Sequence, residues 1–251
     1  MSSDTGVFYI ATGERFVREA EASATSLRKQ MPGLPVALAS DCETNSSIFD
    51  IQIPVSDPHH NWVDKVKILR LSPFQRTLFL DTDTTVLAPF GDLFVLLDRF
   101  EVGVAFEPGR YLGPLEGVPD YFPEFNTGVL LFNASPAVFA MFDRWLELYE
   151  AELRAQRAAK QPLHHDQPSF TQALYESRIS FFVLPPEWNF RAIFPQFAGG
   201  LVRIFHGRLK RTSSDLRFVN KSIFPRVLSP NPRRLPGILS DTIRLFCTLY
   251  R

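Results

Sequence analysis

A mostly parallel α/β sheet flanked by helices is the fold this sequence predicts, and three observations lead to it. Short apolar, β-prone runs alternate with segments of helical period over the first 106 residues, the order that builds right-handed β-α-β units. These runs stop at small or acidic residues such as Gly13, Asp41 and Asp81, as buried strands do where they leave a sheet. With 251 residues, 45% hydrophobic and 22% charged, the chain has the size and composition of one domain with a substantial core.

Residues 7–12 form the first strand, ending near Gly13. Phe16, Ala20, Ala24 and Leu27 then recur at helical spacing, and Pro32 with Gly33 ends that helix. Residues 36–39 are a second strand stopping at Ser40 and Asp41, and 51–55 a third. Residues 62–71 predict a helix whose Val66, Leu69 and Arg70 share a face of core and rim. Strands follow at 78–80 and 102–106.

Residues 107–124 are rich in Gly and Pro and have no periodicity, so they predict a long loop. Such loops in compact domains are usually lids or binding loops, and Tyr111, Tyr121 and Phe122 give this one aromatic planes for stacking. Phe125, Asn126, Thr127 and Gly128 open a strongly apolar strand over 129–132. Residues 137–159 predict a long helix burying Phe139, Phe142, Trp145, Leu146, Tyr149 and Leu153.

The strand at 78–80 runs into Asp81, Thr82, Asp83, Thr84 and Thr85. In an extended chain residues i and i+2 point the same way, so Asp81 and Asp83 leave the sheet edge together. Side by side they repel unless something positive sits between them. A divalent cation with oxygen ligands, Mn²⁺ or Mg²⁺, fits that need and would bring a phosphate with it. The competing reading is a polar turn that closes a strand.

Charge is zero overall but unevenly spread. From Arg203 to Arg251 there are 11 basic residues against Asp215 and Asp241, a net +9, which leaves −9 on residues 1–202. An anionic partner for the tail is expected. Leu235, Ile238, Leu239, Leu245, Phe246 and Leu249 alternate there with Arg234, Arg244 and Arg251. Two readings stay open: an amphipathic helix on an anionic membrane, or a helix packed on the domain with a solvated basic rim. Nucleic acid is not expected, because aromatic and basic residues do not interleave. The start of the chain shows no secretory leader, no run spans a membrane, and Cys42 and Cys247 are far apart. A cytoplasmic location, with peripheral membrane contact through the tail, is the expectation.

The order of several motifs resembles glycosyltransferases of the GT-A fold, and within them family 8, the group of glycogenin and bacterial lipopolysaccharide galactosyltransferases. Lys65 lies 16 residues ahead of Asp81, and Asp81 and Asp83 form an Asp-x-Asp pair. Phe125 to Gly128 make a Phe-Asn-x-Gly strand entry, and Asp166 with Gln167 leads into a helix. Leu184, Pro185, Trp188 and Asn189 follow in Leu-Pro-x-x-Trp-Asn spacing, and His206 comes late. The last motif departs from the family's His-x-x-Gly-x-x-Lys, being compressed around Gly207 and Lys210.

The resemblance implies a GT-A domain over residues 1–211 and a basic, Pro-interrupted extension over 212–251. It implies Mn²⁺ (or Mg²⁺) on Asp81, Asp83 and His206, with a nucleotide-sugar donor, UDP-glucose or UDP-galactose first. Lys65, Lys210, Asp81 and Thr82 would face the donor, and Thr12 and Asp41 its base and ribose. Asn126, Asp166 and Gln167 would line the sugar pocket as catalytic residues, with Asp166 as nucleophile or positioning group. Transfer of the hexose to a glycan or lipid-linked acceptor would retain configuration. Two other readings remain: a non-catalytic module binding nucleotide-sugar or glycan, and a haloacid-dehalogenase-type phosphatase. The latter is resembled by Asp81, Asp83 and Thr85, but the acidic pair it needs after residue 100 is missing.

Overall fold

The computed structural model describes residues 4–108, 115–191, 196–208, 216, 219–221 and 225–228. Tyr111, Lys210, Cys247 and the tail from 229 onward lie outside the described residues.

Seven strands make the main sheet: β1 (Thr5–Ala11), β2 (Val36–Ser40), β3 (Ile51–Pro54), β4 (Arg76–Leu80), β6 (Val102–Phe106), β7 (Phe125–Asn133) and β8 (Phe181–Leu184). Their spatial order is β3-β2-β1-β4-β7-β6-β8. β7 alone runs against its neighbours β4 and β6, and the other pairings are parallel. Its burial on both faces over residues 125–132 explains the unbroken apolar run there, since a central covered strand has no polar side.

Helices cover both faces. α1 (Glu14–Gln30) packs Val17, Ala20, Ala24 and Leu27 against β1, β4 and the alternate side chains Val7 and Tyr9. On the other face, α2 (Trp62–Ile68), α3 (Pro136–Ala158) and α4 (Gln167–Ser177) enclose Phe79, Phe132, Phe142, Trp145 and Phe170. Each large apolar side chain buried in this way contributes about 1.5–3 kcal/mol. α3 starts on a Ser135 cap, whose hydroxyl accepts from the Val138 amide, with Pro136 in the first turn. Its buried stripe is Val138, Met141, Phe142, Trp145, Tyr149 and Leu153, whereas Phe139 and Leu146 are only partly buried. Those two lie at the edge of the stripe, and Phe139 also supports the Arg70 guanidinium, 5.7 Å from its ring centre.

A small second sheet matters more for function. The chain turns at residues 81–84 and continues as β5 (Thr84–Val86), which pairs antiparallel with β11 (Ile204–His206), itself beside β9 (Phe190–Arg191). His206 stands opposite Thr84 in that ladder. β10 (Gln196–Ala198) pairs with β12 (Arg226–Leu228), and Leu216 and Val219 are buried in the cluster under them.

Residues 115–124 contain no helix or strand. Phe122 does not face outward: its ring makes edge contacts with Phe125, Tyr175 and Phe181 at 5.0–6.1 Å. Tyr121 is 90% exposed.

Candidate metal centre and nucleotide cleft

The centre forms where three strand ends meet. Asp81 follows β4, where its amide donates to the Gly128 carbonyl of β7 at 2.8 Å, and Thr84 N donates back to Asp81 O at 3.2 Å. That turn swings Asp83 to the same side as Asp81, and the β5–β11 ladder delivers His206. One ligand atom from each of Asp81, Asp83 and His206 fits within 4.8 Å of the others. His206 Nε2 lies 3.3 Å from Asp83 Oδ1 and 3.7 Å from Asp81 Oδ2.

The His206 tautomer follows from its other nitrogen. Asn189 Nδ2 is spent on Asn126 Oδ1 at 3.0 Å, so Asn189 turns its Oδ1 to His206 Nδ1, 2.8 Å away. Nδ1 therefore carries a proton, which leaves Nε2, facing the two carboxylates, as the nitrogen that would ligate a cation. Two carboxylate oxygens and one oriented imidazole suit a first-row divalent ion such as Mn²⁺, whose preference is for oxygen ligands. The donor set fits the expected metal. Removing the amide with Asn189→Ala frees the ring, and a 10–100-fold loss of Mn²⁺ affinity by calorimetry is the expected result.

Gly128 makes room for this triad. A Cβ there would sit 2.1 Å from His206 Cε1 and 2.7 Å from Asp81 Oδ2. Gly128→Ala should therefore displace His206 and abolish measurable Mn²⁺ binding. A variant that binds Mn²⁺ as wild type would show that the triad tolerates a shift of this size.

Charges around the triad are graded. Burial pushes the Asp83 carboxyl up, but the His206 hydrogen bond and the charges of His206 and Arg208 outweigh it and bring its pKa to about 2. Burial dominates at Asp81 and raises its pKa despite Lys65 and His206. Lys65 is pulled the other way: burial disfavours its charge, yet Asp166 and Asp81 hold its pKa above the ordinary lysine value. Its Nζ donates to Thr127 Oγ1 at 2.8 Å and sits 2.9 Å from Asp166 Oδ2 and 3.8 Å from Asp81 Oδ1.

Behind the triad lies a buried chain of hydrogen bonds. Asn126 Nδ2 donates to Gln167 Oε1 at 2.8 Å, and Gln167 Nε2 to Glu107 Oε2 at 3.1 Å. Arg191 pairs with the same carboxylate, whose side chain is wholly buried. Asp166 also accepts from Thr127 Oγ1 at 3.0 Å. The structure thus brings Lys65, Asp81, Asp83, Asn126, Asp166, Gln167 and His206 into one assembly.

A cleft of about 350 Å³ opens beside it, bordered by Thr12, Phe16, Trp62, Lys65, Thr82 and Arg208 among others. Thr12 donates its hydroxyl to Asp64 Oδ2 at 2.9 Å, and Asp64 also accepts the amides of His59 and His60 at 2.7 Å each. Asp41 receives the Gly13 amide at 2.7 Å and does not border this cleft. Thr82 donates to Glu19 Oε2 at 3.0 Å.

Four contributors escaped the sequence reading: Glu19, Asp64, Glu107 and Arg208. Asp64 and Glu107 are buried polar residues inside segments that look like ordinary helix and loop, and no local pattern marks them. Arg208 had a signal, since it follows His206 by two positions.

No protein-family model and no curated protein sequence matches the chain. Among solved structures, the chain is similar to GlyE, a glycosyltransferase of Streptococcus pneumoniae TIGR4, with a TM-score of 0.56 and 16% identity. The likeness covers 82% of this chain but 55% of that one, so the chain spans about half the length of GlyE. It is also similar to mouse xyloside xylosyltransferase 1 in its apo form, with a TM-score of 0.54 and 16% identity over 84% of this chain and 99% of that one. At this identity the likeness is one of fold: a single α/β domain with a mainly parallel, helix-flanked sheet, built as in glycosyltransferases of GT-A type.

Proposed function

We propose that the chain is a metal-dependent glycosyltransferase of family-8 kind, moving a hexose from a nucleotide diphosphate sugar to a hydroxyl of a glycan or lipid-linked acceptor. UDP-glucose and UDP-galactose are the first donors to test, and retention of configuration is the expected outcome. The observation that carries this reading is the Asp81–Asp83–His206 triad, with its imidazole aimed by Asn189, at the mouth of a cleft bordered by Lys65. The fold shared with glycosyltransferases supports it.

Mn²⁺ or Mg²⁺, when bound, would neutralise the diphosphate as it leaves. The residues around it do the rest. Lys65 supplies a desolvated point charge, and its pairing with Asp166 keeps it protonated at any physiological pH. Asp166, with its side chain 2% exposed and already engaged by Lys65 and Thr127, is better suited to positioning that lysine than to attacking a sugar. Asn126 and Gln167 lock the wall on which Asn189 and His206 rest, and that wall would back a sugar held at the metal. Thr12, braced by Asp64, and Phe16 would meet the base end of the cleft, with Asp41 behind them through Gly13. Lys210 remains a candidate donor contact.

The transferase unit would be residues 1–211. The extension 212–251 would add a basic surface for an anionic membrane at its cytoplasmic face. No helix among the described residues is long and apolar enough to cross a membrane.

A panel of UDP- and GDP-sugars with Mn²⁺, read by release of free nucleotide, tests the reading. Release from at least one sugar, abolished by EDTA, is expected. Nucleotide binding without any release would identify a binding module instead, and metal-stimulated hydrolysis of simple phosphate esters a phosphatase.

A further inference from the structure

Arg208 leaves β11 through Gly207, whose φ of 128° is in the region reserved for glycine and whose amide donates to Asp83 O at 3.0 Å. Its guanidinium is committed along one edge only. Nε donates to Glu19 Oε1 at 3.0 Å and Nη2 to Glu19 Oε2 at 2.7 Å, a two-bond fork from α1. The remaining nitrogen, Nη1, lies 3.4 Å from Asp83 Oδ2 and so faces the metal triad. Both partners are themselves held. Glu19 accepts the Thr82 hydroxyl and lies 3.4 Å from Arg15 Nε, and the Phe16 ring supports the guanidinium at 5.8 Å.

An ordinary surface ion pair would point both groups at water and contribute little. Here Arg208 stands in the cleft wall, half-exposed, and shares the lining with Asp83 and Lys65, while Glu19 holds it from α1. A guanidinium whose Nε–Nη2 edge is fixed by a carboxylate presents its last N–H groups in one direction, the geometry that recognises phosphate oxygens. Lys65 lies 3.8 Å from Asp81 and Arg208 3.4 Å from Asp83, so each carboxylate of the pair has a cation beside it.

We propose that Glu19 is a positioning residue that aims Arg208 Nη1 at an anion held by the metal triad, making Arg208 the second cation, after Lys65, for a diphosphate-class ligand. The nucleotide-sugar version of this inference rests on the function proposed above, but its anion-binding core does not. The full chain, Arg208→Gln, Arg208→Lys and Glu19→Gln are titrated calorimetrically with Mn²⁺ alone and with Mn²⁺ plus inorganic pyrophosphate. Arg208→Gln should weaken pyrophosphate binding roughly tenfold to hundredfold. Mn²⁺ alone should bind as well or better, because a cation beside Asp83 has gone. Glu19→Gln should lose a smaller factor, and Arg208→Lys should recover only part of the loss.

Pyrophosphate affinity within about twofold of wild type in Arg208→Gln overturns the inference, as does a wild-type chain that binds no pyrophosphate. Equal losses for Mn²⁺ and for Mn²⁺–pyrophosphate also overturn it, since they mark a merely structural pair. The two proposals fail separately. Arg208-dependent pyrophosphate binding without any sugar transfer sinks the transferase reading alone, and transfer indifferent to Arg208 sinks this one alone.

Discussion

Asp83→Asn is expected to lower metal-stimulated turnover of the donor by roughly 10²–10⁴-fold, the equivalent of several kcal/mol of lost charge stabilisation. The prediction rests on what Asp83 is in the folded protein. His206 and Arg208 keep its carboxyl ionised down to about pH 2, so at neutral pH it is a standing anion next to Asp81. The amide is nearly isosteric but offers a cation no charge. Without metal the variant should be less stable than wild type at neutral pH, since the charge that His206 and Arg208 hold ionised has been removed. Wild type should gain thermal stability with Mn²⁺, about 2.7 kcal/mol at a hundred times the dissociation constant, and the variant should gain little. Thermal melts with and without Mn²⁺ read this directly. Equal Mn²⁺ stabilisation in both proteins would remove Asp83 from the ligand set.

Lys65→Met should be the most destabilising change in the site. It keeps the apolar stem but leaves Asp166, buried to 2% exposure, without its cation. Breaking a buried pair by removing one partner costs roughly 3–5 kcal/mol. At about 2–4 °C per kcal/mol for a domain of this size, the melting temperature should fall by about 6–20 °C. Removing the second charge as well, in Lys65→Met with Asp166→Asn, should restore much of the stability while leaving activity lost. A double variant no more stable than the single one would mean that the ion pair is not what Lys65 contributes.

The strands and helices were legible where the physics is local. The apolar runs and the helical periods of residues 7–106 need nothing beyond neighbours in sequence. β7 was legible as a strand but not in its direction, because the antiparallel insertion between β4 and β6 is decided by tertiary pairing. The site followed the same division. Asp81 and Asp83 announce themselves through i, i+2 spacing after an apolar strand. His206 and Lys65 came only from the family resemblance, and the β5–β11 ladder that seats the histidine is too short to see in sequence. Asp64 and Glu107 carry no sequence signal, since a buried carboxylate is defined by partners such as Thr12, Gln167 and Arg191 that lie far along the chain. Phe122 misled for a related reason: an aromatic in a Gly- and Pro-rich loop looks available for stacking, yet three other rings already surround it.

One divalent ion would join this chain to a diphosphate. Crystals grown with Mn²⁺ and UDP, measured for anomalous scattering at the manganese edge, address it most directly. A single strong peak is expected among Asp81 Oδ2, Asp83 Oδ1 and His206 Nε2, touching the nucleotide's phosphates, with Lys65 beside it. A nucleotide bound elsewhere with no peak at the triad, or a peak that shares none of these three ligands, would contradict it.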